Sequence, residues 1–430
     1  MDSRNYLFST LTSSKMLQWS LHPLRFPRYR GTETLGIAYA SKSLLSLNRI
    51  FHFSTFIVLI SLLLMSCGNS IRESADVSAD SLFLRHDSLF ATVDRYSDTI
   101  VIKYAKGLEV DYREDGIHVR ISNPDPSVRH GAVEELVITH PSSRFICTTA
   151  LQLGNFEVLG LEDRIVGMNS LKNIFDNRIR RQMDEGLTAR IGKEGVFDIE
   201  TVIALRPDYI FVSASKHGGF EALRESGIPI ITHHGYKETN PLGQAEWIKL
   251  VGLLTGEPRR ANAVFGDIET KYLKLKEEVK EKIGGMRPTV ASGRQLRDGW
   301  YIVGGQSYLA QLFEDAGADY VMADNEDSGG TTLDFEEAFA KSVNADFWQI
   351  DGAYDGDYTL ETLANEDARY VHMKAFTERK VLFCNLSRTP YRELSPVEPH
   401  ILLADFVKAF YPELLPHYVP KYYKLIGGRD

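Results

Sequence analysis

Three cysteines, a pair of adjacent histidines and scattered arginines, aromatics and acids are the residues of this sequence with chemistry to offer. Cys147 and Cys384 lie in apolar, strand-like runs (Arg144-Phe-Ile-Cys-Thr-Thr and Val381-Leu-Phe-Cys-Asn-Leu), where a buried free thiol is the usual state. An oxidising compartment permits a bond between them, but the count fits neither a disulfide scaffold nor a zinc site. His233 and His234 end an extended run, so their side chains point to opposite sides and do not share a metal. The sequence has no G-x-S-x-G, H-E-x-x-H, P-loop or G-x-G-x-x-G. A nucleophile with its base, or a metal cluster, is therefore not in view, and an enzyme on a two-lobed scaffold is the remote alternative.

Cys67 is different. It follows Phe51 to Ser66, an uncharged and mostly apolar run shorter than the roughly 20 residues of a spanning helix. Lys42 and Arg49 precede that run, and small polar residues follow the cysteine. The stretch Leu64-Met-Ser-Cys-Gly68 resembles the bacterial lipobox, which implies export, lipidation of Cys67 and loss of residues 1–66. Two or more acyl chains make such an anchor stable. The long basic leader before residue 48 suggests a start site placed too early, with translation beginning near residue 47.

The elements that must position the remaining residues are legible as patterns. Beyond residue 66 the chain is long enough for two cores. At 43% hydrophobic and 25% charged it reads as globular, and a net charge of -9 argues against nucleic acid as a partner. Thr99–Tyr104, Leu108–Tyr112 and Ile117–Ile121 alternate as strands, with a hairpin turn at Glu114-Asp-Gly. From about residue 134 strands and helices alternate, which predicts parallel sheets covered on both faces. Between two such series, Pro258–Ile283 carries apolar residues at spacings of 3 or 4 and reads as one long helix. The fold class is α/β: two Rossmann-like lobes joined by a long helix, preceded by a small antiparallel β module.

Residues 140 to 420 resemble the periplasmic binding proteins of ABC importers for ferric siderophores, haem and cobalamin. The resemblance rests on Gly160-Leu-Glu-Asp-Arg-Ile-Val-Gly-Met, on Asp198-Ile-Glu-Thr-Val-Ile-Ala-Leu-Arg-Pro-Asp-Tyr-Ile, and on Leu223-Arg-Glu-Ser-Gly-Ile-Pro-Ile. Together with the patterns above, it divides the chain into a leader and signal over 1–66, a tether over 67–94, a small β module over 95–135, lobes over 136–245 and 286–430, and a connecting segment over 246–285. It further implies that Glu200 and Glu336, one on each lobe, dock onto permease arginines; two rigidly held carboxylates fix orientation and speed encounter.

Ligands of open α/β sheets bind at the carboxyl ends of the strands. That names Thr148, Thr149, Ser213, Ser215, Lys216 and His217 in the first lobe, and Arg294, Arg297, Trp300, Tyr301, Arg388 and Tyr391 in the second. Aromatic faces and arginine forks suit a large, flat or anionic ligand. Gly304-Gly-Gln-Ser307 either presents amides to an anion or makes a turn with Ser307 as helix cap.

The expected function is capture of an iron chelate, a ferric siderophore or haem, by a lipid-anchored monomer that delivers it to a permease and its ATPase subunits. Cobalamin is the alternative; the resemblance disfavours it, because cobalamin-binding relatives carry a tryptophan in the loop before Asp198-Ile-Glu, and here that loop is Ile191-Gly-Lys-Glu-Gly-Val. No resident cofactor is expected, because the metal arrives inside the chelate. The expected location is the periplasm of a Gram-negative-type bacterium, with contact to the membrane only through lipid. A rigid connecting helix predicts small lobe movement.

Overall fold

The computed structural model describes residues 82, 87–90, 92–128, 131–169, 174–193, 195–213 and 220–427. The Cys67 signal, like Ser215, Lys216 and His217, lies outside them. Among the described residues no helix is long and apolar enough to cross a membrane.

The antiparallel module contains β1 (Leu108–Arg113), β2 (Gly116–Ile121) and β3 (Glu134–Ile138), in that spatial order. The hairpin turn forms where expected, but the strand expected over 99–104 does not. That stretch leads into a strap whose amides, from Lys103 to Gly107, meet carboxylates instead of a neighbouring strand. Lys103, Tyr104 and Ala105 donate backbone N–H to Glu246 at 3.0, 2.7 and 2.9 Å. Lys106 and Gly107 donate to Glu238 at 3.0 and 2.9 Å. Lys249 donates to Val101 O at 2.7 Å and to Glu246 at 2.6 Å, and the Trp247 indole donates to Glu238 at 3.1 Å. A buried backbone donor needs a partner of some kind, and here two buried acids serve five of them. A Cβ on Gly107 would come within 2.8 Å of both Ser122 O and the Trp247 ring, so this close approach requires glycine.

The first lobe holds a five-stranded parallel sheet. Its strands are β4 (Phe145–Cys147), β5 (Ile165–Met168), β6 (Ala189–Arg190), β7 (Tyr209–Ser213) and β8 (Ile230–His233), in the order β8-β7-β4-β5-β6. The central strands are apolar without a break because helices cover both faces. Helix α1 (Ala150–Glu157) follows β4, and α2 (Ile199–Ala204) precedes β7.

Helices α3 (Pro241–Glu246), α4 (Ile248–Thr255) and α5 (Pro258–Lys282) lead to the second lobe. Gly256 takes the left-handed conformation (φ 73°) that ends α4, and Pro258 occupies the first turn of α5. Helix α5 has 25 residues and spans about 37 Å at 1.5 Å per residue. Its buried stripe, Ala261, Val264, Ile268, Tyr272, Leu275 and Val279, keeps the spacing seen in the sequence.

The second lobe has strands β9 (Thr289–Ser292), β10 (Arg294–Leu296), β11 (Gly299–Val303), β12 (Asp319–Tyr320), β13 (Gly330–Leu333), β14 (Phe347–Gly352), β15 (Val381–Asn385) and β16 (Lys424–Ile426). The main sheet runs β12-β9-β14-β15-β16, parallel except for β16. A separate antiparallel sheet, β10-β11-β13, stands beside it. Helices α6 (Tyr308–Asp315), α7 (Phe335–Ser342), α8 (Tyr391–Leu394) and α9 (Pro399–Phe410) are among the helices of this lobe. Cys147 and Cys384 are buried free thiols, one in each lobe.

Candidate ligand-binding site

Short polar side chains stand at the carboxyl ends of the first lobe's central strands. Thr148 follows β4 and Asn169 follows β5. Both are buried, and Thr148 Oγ1 and Asn169 Oδ1 have no hydrogen-bond partner among the described residues. Thr149 begins α1 and donates its backbone N–H to Gln152 Oε1 at 3.0 Å. Its hydroxyl lies 3.4 Å from Ser213 Oγ at the end of β7, and Gln152 Nε2 donates to the same oxygen at 3.2 Å. The structure thus brings Thr148, Thr149 and Ser213 together. A buried polar atom without a partner is costly unless a ligand or water completes it, which marks this edge as a place for a ligand.

At β8, His233 and His234 are both buried, with ring centroids 4.6 and 6.4 Å from that of Trp247. Burial pushes the His233 imidazole down to about 3, so it is neutral and structural. The described residues contain no group of three or more metal-ligating side chains.

The second lobe's wall departs from expectation. Trp300 is fully buried. Its indole donates to Ser292 O at 3.0 Å and packs on Trp348, Tyr370 and Phe335. It belongs to the core, because successive strand residues face opposite sides and Tyr301 takes the outer one. Arg294 is the cross-strand partner of Tyr301. Its guanidinium is engaged, however: it pairs with Glu366 and donates to the Tyr358 hydroxyl at 3.2 Å. Arg388 is engaged too, donating to Asp357 at 2.8 Å and to Asp355 O at 3.2 Å. Arg297 sits at the turn between β10 and β11, in a groove of about 410 Å³ shared with Thr332, Asp334 and Glu336. Its neighbour is therefore the candidate docking acid. The arginine forks expected for an anionic ligand are mostly spoken for.

What the wall does offer was missed in the sequence. Asp351, near the end of β14, is exposed, yet burial of its surroundings raises its carboxyl, against the pull of Arg294 and Arg392. Tyr301, Tyr308 and Tyr391 all feel its charge. Tyr423 donates to the Tyr391 hydroxyl at 3.3 Å and accepts from Gln349 Nε2 at 2.9 Å. Tyr423 is held in turn by Asp405, a fully buried acid that accepts the amides of Lys421, Tyr422 and Tyr423 at 2.9, 2.7 and 2.9 Å. The signal was present: a mostly apolar strand, Phe-Trp-Gln-Ile-Asp-Gly, with an acid next to its carboxyl end.

The two candidate docking acids have matching settings. Asp198 caps α2, its side chain accepting Thr201 N at 3.1 Å, and Glu200 stands exposed two residues on. Asp334 caps α7, its side chain accepting Glu336 N at 3.1 Å, and Glu336 is exposed, 4.0 Å from Arg369. Ser307 caps α6, accepting Ala310 N at 3.2 Å, so the Gly304–Ser307 segment is a turn.

The lobes touch where α1 meets α8. A Cβ on Gly154 would lie 1.9 Å from Glu393 O. The buried Glu393 carboxylate accepts the amides of Phe175 and Asp176 at 2.7 and 3.1 Å. Glu157 lies beside it, and burial with the charges of Glu393, Asp176 and Glu398 pushes the Glu157 carboxyl far up, so it is protonated at neutral pH.

Residues 146–385, more than half of the 430-residue chain, match the periplasmic binding protein family. The chain is 23% identical over 353 residues to an uncharacterized lipoprotein of Methanocaldococcus jannaschii, covering 73% of this chain and 83% of that protein. A periplasmic binding protein from Veillonella parvula superposes with a TM-score of 0.54 at 14% identity, over 66% of this chain and 96% of that one. The molybdate periplasmic binding protein of a Haemophilus influenzae ABC transporter gives 0.52 at 17%, over 65% and 90%. A periplasmic heme binding protein from Pseudomonas aeruginosa gives 0.50 at 19%, over 67% and 99%. At these identities the solved structures share the fold and say nothing of the ligand. With two α/β lobes, a single long helix between them and a match across both, the chain belongs to the periplasmic binding protein family, solute carriers of ABC transporters that act outside the cytoplasm and are not enzymes.

Proposed function

We propose that this protein is the lipid-anchored binding component of an ABC importer that captures an iron chelate, a ferric siderophore or haem, between its lobes and hands it to the permease. The observation that carries the reading is the matched pair of helix starts, Asp198-Ile-Glu200 and Asp334-Phe-Glu336, one on each lobe, each presenting an exposed glutamate from a capped end. Rigid, separated charges suit docking on a partner with complementary arginines. The metal stays within its chelate, so the protein needs no cofactor. Thr148, Thr149, Ser213, Tyr301 and Tyr391 are the ligand contacts among the residues named from sequence, and Lys216 and His217 remain candidates. Lipidation of Cys67 keeps the carrier near its permease and raises its effective concentration there.

Uptake in the native host tests the docking. With Glu200→Ala and Glu336→Ala combined, chelate import falls at least about tenfold, while binding in solution is unchanged. Unaltered import would sink the docking role. The absorption spectrum of protein isolated from that host separates haem, ferric siderophore and cobalamin as the cargo.

A further inference from the structure

The charges around the cleft carry a conclusion about the ligand that goes beyond its being a chelate, and it rests on the reading just given. Asp351 lies near the carboxyl end of the second lobe's central strand, in register with Cys384. It is exposed and has no ion pair among the described residues. Of the three arginines that the sequence offers to an anion, Arg294 is paired with Glu366 and Arg388 with Asp357, and Arg297 lies at the turn between β10 and β11, in the groove with Asp334 and Glu336. Arg294 is further confined, since a Cβ on Gly352 would come within 2.4 Å of its guanidinium. Arg392, exposed on α8, is the remaining cation that acts on Asp351. Against Asp351 it leaves this wall without a surplus of positive charge.

Around Asp351 the wall is phenolic. Tyr423 is linked to Tyr391 at 3.3 Å and to Gln349 at 2.9 Å. Burial raises the Tyr301, Tyr308 and Tyr391 hydroxyls above their ordinary value, so they stay neutral. Among its described residues, the facing lobe's strand ends contribute the hydroxyls of Thr148, Thr149 and Ser213 and the Asn169 amide, which are uncharged. Thr148 Oγ1 and Asn169 Oδ1 are buried without partners.

We propose that Asp351 selects the ligand's charge: the cleft takes a neutral or cationic chelate rich in hydrogen-bonding groups, with a donor group placed against this carboxylate, and rejects polyanionic chelates. A polyanion would be desolvated between neutral hydroxyls and one carboxylate, with Arg392, itself drawn to Asp351, the cation beside it among the described residues. A ligand ammonium or hydroxyl gains a charge-assisted hydrogen bond in the same place.

The test is a titration of tryptophan fluorescence in the full chain with four iron complexes. These are the ferric complex of a linear trihydroxamate bearing one ammonium group, that of an uncharged cyclic trihydroxamate, that of a tris-catecholate of charge −3, and haemin. The expected order is cationic, then neutral, with the tris-catecholate at least about a hundredfold weaker than the cationic complex. Asp351→Asn, which keeps the side chain's shape, weakens the cationic complex about tenfold and leaves the neutral one within about threefold. Arg392→Gln moves the cationic-to-neutral ratio in the opposite direction. A wild-type preference for the tris-catecholate or for haemin, or a cationic-to-neutral ratio untouched by Asp351→Asn, overturns the charge selection while leaving the iron-chelate function standing. Failure of all four complexes to bind overturns both.

Discussion

Two places in this protein hold acids against apolar surroundings, and they do so in opposite ways. Under the strap at residues 101–107, Glu238 and Glu246 are saturated: five backbone amides, the Trp247 indole and Lys249 converge on them. At the cleft, Asp351 keeps an open side, and Thr148 and Asn169 have buried polar atoms with no partner. A carboxylate whose lone pairs are all taken holds a fold together, because desolvation is compensated only when every bond is made. A polar group that remains open in an enclosed place costs stability and is kept for something that arrives later. The difference separates scaffold from site without reference to any relative.

The strongest way to break the comparison is at the scaffold. Glu246→Ala strands the amides of Lys103, Tyr104 and Ala105 together with a buried Lys249, and is expected to cost about 3–5 kcal/mol. Urea unfolding measures this, and hydrogen exchange at residues 103–105 shows whether the strap has come loose. A loss below about 1 kcal/mol would mean that the strap is held by something other than Glu246.

A second test uses pH. The Glu157 carboxyl is raised in the folded protein by burial and by Glu393, Asp176 and Glu398. Its contribution is thus fully present below the ordinary carboxylate range and is lost as pH rises toward the folded value. Burial likewise raises Asp405 to about 6, with the same sign, its contribution being lost as pH rises from about 4 through 6. Stability should therefore decline from mildly acid to alkaline pH. Glu157→Gln should flatten the part of the decline above about pH 7, where Asp405, raised to about 6, is mostly ionised. Urea midpoints at pH 6, 7 and 8 give the slope, and identical slopes in the two proteins would remove Glu157 from the account. The smallest expected effect is at the site itself. Asp351→Asn should move stability by no more than about 0.5 kcal/mol, although it changes binding. A large destabilisation would place Asp351 with the scaffold.

Much of this contrast was hidden in the sequence, and particular residues show why. Thr99-Ile-Val-Ile-Lys-Tyr alternates as a strand should. The amides of Lys103 and Tyr104 were claimed by Glu246, 143 and 142 positions away, and no local pattern reveals a partner at that separation. Trp300 and Tyr301 were both placed at the cleft, although neighbours on a strand cannot face the same way; the packing of Trp348 and Tyr370 decided which one turned inward. Arg294 and Arg388 looked available because their acids, Glu366 and Asp357, come from other segments of the chain.

What the sequence by itself determined is whatever depends on local periodicity and capping. That covers the two α/β series, the 25-residue helix between them, the Asp-x-Glu helix starts and the Ser307 cap. Hydrophobic spacing and cap chemistry act within a few residues, so they can be read directly. The tertiary structure alone decided which polar groups were saturated and which stayed open, because charge pairing and burial join residues that only folding brings together.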